Sequence, residues 1–163
     1  MYNFMSYSLP IVYKTIYEMS NNLKDEIIES IIRNEEVLQK IFDGMFAPNS
    51  EVSLYCVRII GNILAERDDF SEVFMKYQIL DRVSVLLHNQ SVSVQGEDSS
   101  LRSNRQTMRK DIFWLLSNYI CDASSANYVL NHEDLRKKIL AHYRSESNWA
   151  IRTEIYYTIS YLM

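Results

Sequence analysis

The sequence predicts an all-α protein built as a right-handed α-solenoid of about three to four repeats, each of three helices. Only three of the 163 residues are glycine and two are proline, and compact β-folds need both residue types in tight turns between short strands. Apolar residues recur at helical spacing along most of the chain. The expected helices also follow one another in a repeating order of long, short and medium lengths, which is typical of a helical stack.

Residues 1–49 are expected to form a partial repeat. Its first helix begins with Ser8 as N-cap and Pro10 in the first turn, and residues 21–22 end it. Asp25 is expected to cap a short second helix, and a third helix follows Asn34. The apolar residues that set the helical spacing in this part are Ile11, Val12, Ile16, Met19, Leu23, Ile27, Ile28, Ile31, Ile32, Val37, Leu38, Ile41, Phe42 and Met45.

Residues 50–88 are expected to form a complete repeat. The proline-containing segment 47–50 breaks the chain, and a long helix follows over 51–66. The wide apolar stripe of that helix predicts that it is covered on most sides. Two shorter helices are expected over 70–77 and 79–88.

One stretch has too little apolar content to pack. Residues 89–104 are rich in serine and contain Gly96, Glu97 and Asp98. Such a composition is typical of loops. The sequence therefore predicts a flexible surface loop over 89–104.

Residues 105–146 are expected to form a second complete repeat. A long helix over 105–121 is followed by a short one that ends at Leu130 and a medium one over 132–143. Residues 147–163 begin the last repeat with a final helix.

A motif within each long helix supports the repeat. A large flat or cationic side chain stands four residues before a polar one in the pairs Arg58 and Asn62, Trp114 and Asn118, Tyr157 and Tyr161 and, more weakly, Tyr13 and Tyr17. The second residues of successive pairs are separated by 45, 56 and 43 residues. Without roughly a dozen residues of the serine-rich stretch, the long interval matches the period of about 40 to 47 residues of armadillo and HEAT repeats.

These segments resemble importin-α, the family of adaptors that carry proteins with basic nuclear localisation signals into the nucleus. Segment 57–64 (VRIIGNIL) resembles the sixth armadillo repeat, in which arginine replaces the usual groove tryptophan ahead of Gly-Asn. Segments 109–118 and 128–132 resemble the seventh repeat, and 152–161 resembles the eighth with altered aromatic and polar positions. Residues before Ser50 fit the fifth repeat only loosely. The resemblance implies an armadillo-type solenoid that forms a partial or degenerate import adaptor.

The resemblance also implies a peptide-binding groove. Positions i and i+4 share one face of a helix, so Trp114 and Asn118 point the same way. A carboxamide can bond a peptide backbone as donor and acceptor, and an indole attracts Lys or Arg through a cation–π contact of about 0.5 to 2 kcal/mol. Asp111 and Glu154, three residues before the aromatic residue of their motifs, match the acidic positions of the family's minor signal-binding site. The expected groove residues are Arg58, Asn62, Asp111, Trp114, Asn118, Glu154 and Tyr157.

Other interpretations of these residues stay open. A tryptophan in a helical stripe is typical of a core, although the Ser-Asn pair that follows Trp114 favours a polar surface. Asp111 is equally suited to a structural bridge with Arg58 of the neighbouring repeat. Tyr161 lacks the two-way hydrogen bonding of a carboxamide and is interpreted as a packing residue between repeats.

Composition and charge favour a basic protein partner. Apolar residues make up 47% of the chain and charged residues 23%, which suffices for a buried core. A net charge of −4 argues against a nucleic-acid surface and favours a Lys/Arg-rich peptide or protein segment. The sequence indicates neither a membrane span nor a signal peptide, so we expect an intracellular protein with no membrane partner. The resemblance to importin-α implies a location in the cytoplasm and nucleus. Other protein subunits could cover the open ends of the solenoid.

The sequence indicates no enzyme, metal or cofactor. His88, His132 and His142 lack the spacing of metal ligands, and two cysteines are too few for a zinc cluster or a disulfide framework. Cys56 and Cys121 are interpreted as reduced core thiols, and His132 as a helix-cap or surface residue.

The leading expectation is therefore a module that holds extended basic segments in a concave groove. An armadillo-type scaffold or assembly subunit, with its groove repurposed for a folded partner, is the alternative. The altered motif positions Tyr13, Tyr17, Tyr157 and Tyr161 favour that alternative.

Overall fold

Helices make up every regular element of the computed structural model, which describes residues 4–22, 25–66, 70–91 and 98–163. No strand occurs in these ranges, so the all-α prediction is confirmed. The chain divides into two compact units, Met1–Arg67 and Asp68–Met163. The boundary falls inside the repeat expected over 50–88, and the expected organisation as one repeat domain stays a prediction.

The first unit is built around its longest apolar helix. Its helices are α1 (Phe4–Asn22), α2 (Asp25–Arg33), α3 (Glu35–Gly44) and α4 (Ser50–Glu66). Both α1 and α3 pack against α4, and α2 packs against α3. Cys56, Ile60 and Ile63 of α4 are fully buried. The expectation from its wide apolar stripe, that this helix is covered on most sides, is confirmed.

The second unit places two long helices side by side. Its helices are α5 (Ser71–Met75), α6 (Ile79–Ser91), α7 (Ser99–Tyr119), α8 (Ala123–Asn131), α9 (Glu133–Ser145) and α10 (Trp149–Ser160). α7 packs along α10, α6 contacts both α7 and α9, and α9 contacts α8 and α10. The fully buried residues of α7 include Phe113, Leu115 and Leu116. On α10, Ile151 and Ile155 are each only 1% exposed.

Parts of the segment expected to be a flexible loop over 89–104 are helical. α6 continues to Ser91, and α7 begins at Ser99 rather than Arg105. The side chain of Asp98 caps α7 by accepting the backbone N–H of Leu101 at 2.8 Å. An aspartate N-cap stabilises the first turn of a helix by satisfying one of its free backbone N–H groups, and the polar turn after Asp98 is helical. Residues 92–97 of the predicted loop lie outside the described residues.

The first helix begins earlier than expected. α1 starts at Phe4, and Pro10 lies inside it rather than in its first turn. A proline past the first turn removes one backbone hydrogen bond and crowds the carbonyl four residues earlier, and here the helix continues through Pro10 to Asn22. Leu23, expected in the apolar stripe of this helix, lies outside the described residues.

No helix among those described is both long and apolar enough to cross a membrane.

Candidate functional site

Three of the predicted groove residues occupy one face of α7. Asp111, Trp114 and Asn118 follow one another at i, i+3 and i+7, which places them on one side of the helix. Asp111 is buried to 7% exposure, while Trp114 and Asn118 are half-buried. Trp114 is therefore partly covered and partly exposed. Its indole lies on the same face of α7 as the Asn118 side chain.

The polar pair after Trp114 has two different roles. The hydroxyl of Ser117 donates to the backbone carbonyl of Trp114 at 2.8 Å. This local bond satisfies the serine within its own helix. The sequence argument for a polar surface therefore depends on Asn118 alone.

A threonine sets the register between α7 and α10. Thr158 is fully buried, and its Oγ1 lies 3.1 Å from the carbonyl oxygen of Phe113 on α7 and 2.9 Å from that of Glu154 in the preceding turn of α10. The contact with Phe113 brings the turn that carries Trp114 next to the turn that carries Tyr157. Tyr157 is 54% exposed, so its ring is open to a ligand on this surface.

The two predicted acidic residues of this surface interact. Partial burial raises the pKa of the Glu154 carboxyl, and the nearby charge of Asp111 raises it further, while Lys110 opposes the shift. The effect of Asp111 on Glu154 means that the two carboxyl groups lie near one another, and neighbouring carboxylates favour binding of a cation. We refer to Asp111, Trp114, Asn118, Glu154 and Tyr157 as the α7/α10 surface.

Tyr161 does not pack as expected. It follows the last residue of α10 and is 55% exposed. The interpretation of Tyr161 as a packing residue is therefore wrong for the described residues, which leave more than half of its surface exposed.

The other two predicted groove residues, Arg58 and Asn62, lie in the first unit and contact α1. The guanidinium carbon of Arg58 lies 5.6 Å from the centre of the Tyr17 ring, which itself stacks on Tyr55 with 5.6 Å between ring centres. The Asn62 amide donates to the hydroxyl of Ser20 at 3.0 Å, and Asn62 is 9% exposed. The guanidinium group of Arg58 and one N–H donor of the Asn62 amide are therefore already engaged in contacts within the first unit. The predicted bridge from Arg58 to Asp111 would join the two units and stays a prediction.

The cysteine and histidine predictions have different outcomes. Cys56 is buried as expected, but Cys121 is exposed, since α7 ends at Tyr119 and leaves Cys121 in the following turn. The interpretation of Cys121 as a core thiol is therefore wrong.

His132 caps α9, where its Nδ1 accepts the backbone N–H of Leu135 at 3.2 Å, so its interpretation as a helix-cap residue is confirmed. The described residues contain no group of three or more His, Cys, Asp or Glu side chains that could hold a metal ion.

Sequence reasoning missed a second surface of the second unit. Trp149 is 75% exposed, and Tyr143 and Tyr156 are each 43% exposed. A signal was present, because Trp149 is the first residue of a helix and directly follows the N-cap Asn148. A helix seldom covers the side chain of its own first residue. A tryptophan at that position is therefore buried only if another part of the protein packs against it.

Comparisons with known proteins bear on the fold only. No protein-family model matches the chain, and no curated protein sequence is similar to it. Among solved structures, the chain is similar to the crystal structure of an engineered protein from a structural genomics consortium, with a TM-score of 0.72 and 15% sequence identity. The match covers 99% of this chain and 58% of the engineered one, so the chain spans less than two thirds of that protein. At this level of sequence identity, the structural similarity supports the helical fold and gives no evidence about function.

Proposed function

We propose that this chain is a protein-binding module that holds an extended basic segment on the α7/α10 surface. The observation that carries the proposal is the packing of α10 on α7, which combines two interacting carboxylates with a half-buried indole and an exposed phenol ring. The carboxylates attract Lys or Arg, and the rings pack on the aliphatic stems of the same side chains. The motif resemblance to importin-α supports the same ligand chemistry and a role as a nuclear import adaptor in the cytoplasm and nucleus.

The position of Asn118 fits an extended ligand. Its carboxamide can both donate to and accept from a peptide backbone, and it lies one helical turn beyond Trp114 on the same face. A segment that runs across α7 and α10 would meet this backbone-binding group beside the Trp114 side chain. This arrangement favours an extended peptide over a compact basic ligand.

Binding of a labelled Lys/Arg-rich peptide, followed by fluorescence anisotropy, tests the proposal. We expect a Kd in the micromolar range or tighter that weakens as salt is added. The double substitution Trp114→Ala with Asn118→Ala should weaken binding at least about tenfold, and Trp149→Ser, on the other side of α10, is the matched control. A folded protein that binds none of several basic peptides would overturn the proposal.

Glu154 separates a binding role from a structural one. Because the pKa of Glu154 is raised in the folded protein, the folded state binds more protons than the unfolded state above pH 4.5, and the charged carboxylate lowers stability there. Glu154→Gln should therefore raise the free energy of unfolding at neutral pH, and this gain should disappear as the pH falls below about 4.5. The same variant should bind the basic peptide more weakly. A variant that loses both stability and binding would instead indicate a structural carboxylate.

A scaffold for a folded partner is the second candidate. It is favoured by the first unit, where Arg58 and Asn62 already contact Tyr17 and Ser20 and so have less capacity for a peptide. Such a partner should remain bound in high salt, whereas a basic peptide should be released. A co-purified complex that withstands high salt and is unaffected by Trp114→Ala would favour this second function over the first.

A further inference from the structure

A cluster of exposed aromatic residues joins α9 and α10 on the side away from Glu154. The rings of Tyr143 on α9 and Tyr156 on α10 meet edge to face, with their centres 5.7 Å apart. Trp149 lies on the same side of α10 as Tyr156, at i and i+7, and Leu140 lies one turn before Tyr143 on α9. With Arg152 these residues form what we term the α9/α10 aromatic face.

These residues expose much of their apolar area. Trp149 is 75% exposed, and Leu140, Tyr143 and Tyr156 are between 42% and 43% exposed. Single exposed apolar residues are ordinary, but contiguous exposed apolar patches mark interaction sites. Trp and Tyr, together with Arg, are also the residue types that contribute most to protein–protein binding energy.

Arginines give this face its charge. The guanidinium carbon of Arg152 lies 5.8 Å from the Tyr156 ring centre, and Arg152 also donates to the Tyr156 hydroxyl at 3.1 Å. Both of these contacts join Arg152 to Tyr156, which is uncharged, so they do not neutralise the positive charge of the guanidinium group. Arg144 is exposed and lies one turn after Leu140 on the same side of α9.

The described carboxylates of α9 and α10 all have other partners. Glu133 pairs with Lys137 at 2.6 Å, and Asp134 pairs with Lys138 at the same distance. The remaining two are Glu146, which pairs with Arg109 at 3.1 Å, and Glu154, which interacts with Asp111 and Lys110 on the opposite side of α10. In this part of the described chain, Arg144 and Arg152 therefore have no carboxylate partner, and the face carries an uncompensated positive charge on a protein of net charge −4.

From this combination we propose that the α9/α10 aromatic face is a docking site for an acidic segment of another protein that carries at least one large apolar side chain. The apolar side chain packs among Trp149, Tyr143 and Tyr156, and the acidic groups pair with Arg144 and Arg152. Complementary charge gives the contact its specificity and the buried rings give it most of its affinity. Two arginines are few for a nucleic-acid site, which neutralises several phosphates with clustered cations, so an acidic protein segment fits the face better.

Emission from Trp149 locates the binding site directly. In a full-length Trp114→Phe variant, Trp149 is the single tryptophan, because the chain has two. Titration with a synthetic amphipathic peptide of glutamate, leucine and phenylalanine should shift the emission of Trp149 to shorter wavelength as the ring leaves water. The same peptide with every glutamate replaced by lysine should produce no shift.

Anisotropy of the labelled acidic peptide measures the contribution of each group. Trp149→Ser and Arg152→Glu should each weaken binding about tenfold or more, an effect in the range of interface hot spots. The matched control Arg102→Glu makes the same charge change at an exposed arginine on α7 and should leave the Kd unchanged. Circular dichroism of each variant verifies that the helices are retained.

Four results would each overturn the proposal. The first is the absence of a Trp149 shift with the acidic peptide, and the second is binding that neither Trp149→Ser nor Arg152→Glu weakens. The third is tighter binding of a single-stranded oligonucleotide than of the peptide with the same sensitivity to both variants, which would assign the face to nucleic acid. The fourth is self-association in sedimentation experiments that Trp149→Ser abolishes, which would assign it to a second copy of the chain. Basic-peptide binding on the α7/α10 surface can fail without affecting any of these results.

Discussion

The close approach of α3 and α4 in the first unit predicts a specific packing effect at Gly44. Gly44 is the last residue of α3, and a Cβ atom added to it would lie 2.5 Å from the Sγ of Cys56 and 3.4 Å from the hydroxyl oxygen of Tyr13. Nonbonded heavy atoms attract at separations of about 3.5 to 4.0 Å. Because Cys56 is fully buried, Gly44→Ala forces the sulfur or a helix to move by roughly 1 Å in a packed core.

Two opposing effects set the size of the loss. Adding a methyl group to a well-packed core costs about 1 to 3 kcal/mol. Replacing glycine by alanine in a helix gains at most about 1 kcal/mol, and less at the end of a helix. We therefore expect Gly44→Ala to lower the free energy of unfolding by about 1 to 2 kcal/mol.

A double-mutant cycle isolates the clash between these two residues. Cys56→Ala alone should lower the free energy of unfolding by about 1 kcal/mol because it leaves a small cavity. In that background Gly44→Ala should be neutral or stabilising, which gives a coupling energy of about 1 to 2 kcal/mol. Urea unfolding of the four proteins under reducing conditions, followed by circular dichroism, measures the cycle. In a Cys121→Ala background the loss caused by Gly44→Ala should be unchanged, and an equal loss with and without the Cys56 sulfur would refute the argument.

Three further predictions concern single side chains. A thiol reagent should modify only Cys121 in the folded protein, because Cys56 is buried and burial raises the pKa of its thiol to about 12; two rapidly reacting thiols would contradict this. Asn148→Ala should lower the free energy of unfolding by about 1 kcal/mol, since the Asn148 side chain accepts two backbone N–H groups of α10, and Asn148→Asp should retain most of the stability. Burial, with the charge of Arg109 as a second cause, holds the pKa of His142 below 6.5. The unfolded state therefore binds more protons as the pH falls through about 6.5, so urea midpoints should decrease there and His142→Gln should flatten the decrease.

Local signals in the sequence were sufficient for the helices and several of their ends. The His132 cap and the covered α4 follow from residue types and spacing within one turn or one helix. The start of α7 is misplaced by the serine-rich composition, which is typical of a loop, although Asp98 is a strong N-cap residue. Composition averages over a window, whereas a single cap determines where a helix begins.

The candidate site could be predicted only in part. Spacing along α7 places Asp111, Trp114 and Asn118 on one face, because helical geometry relates residues three and four positions apart. The register of α10 on α7 depends on the buried Thr158 and its contact with Phe113, 45 positions apart in the chain. No periodicity within either helix encodes that contact.

By itself the sequence determined that the chain is helical and which side chains share a helix face, because both depend on interactions within a few residues. Tertiary structure decided which of those faces are covered. It placed Arg58 against Tyr17 and Asn62 against Ser20, and it left Trp149 exposed. Burial depends on which helix packs where, and that choice is made by contacts between residues far apart in the chain.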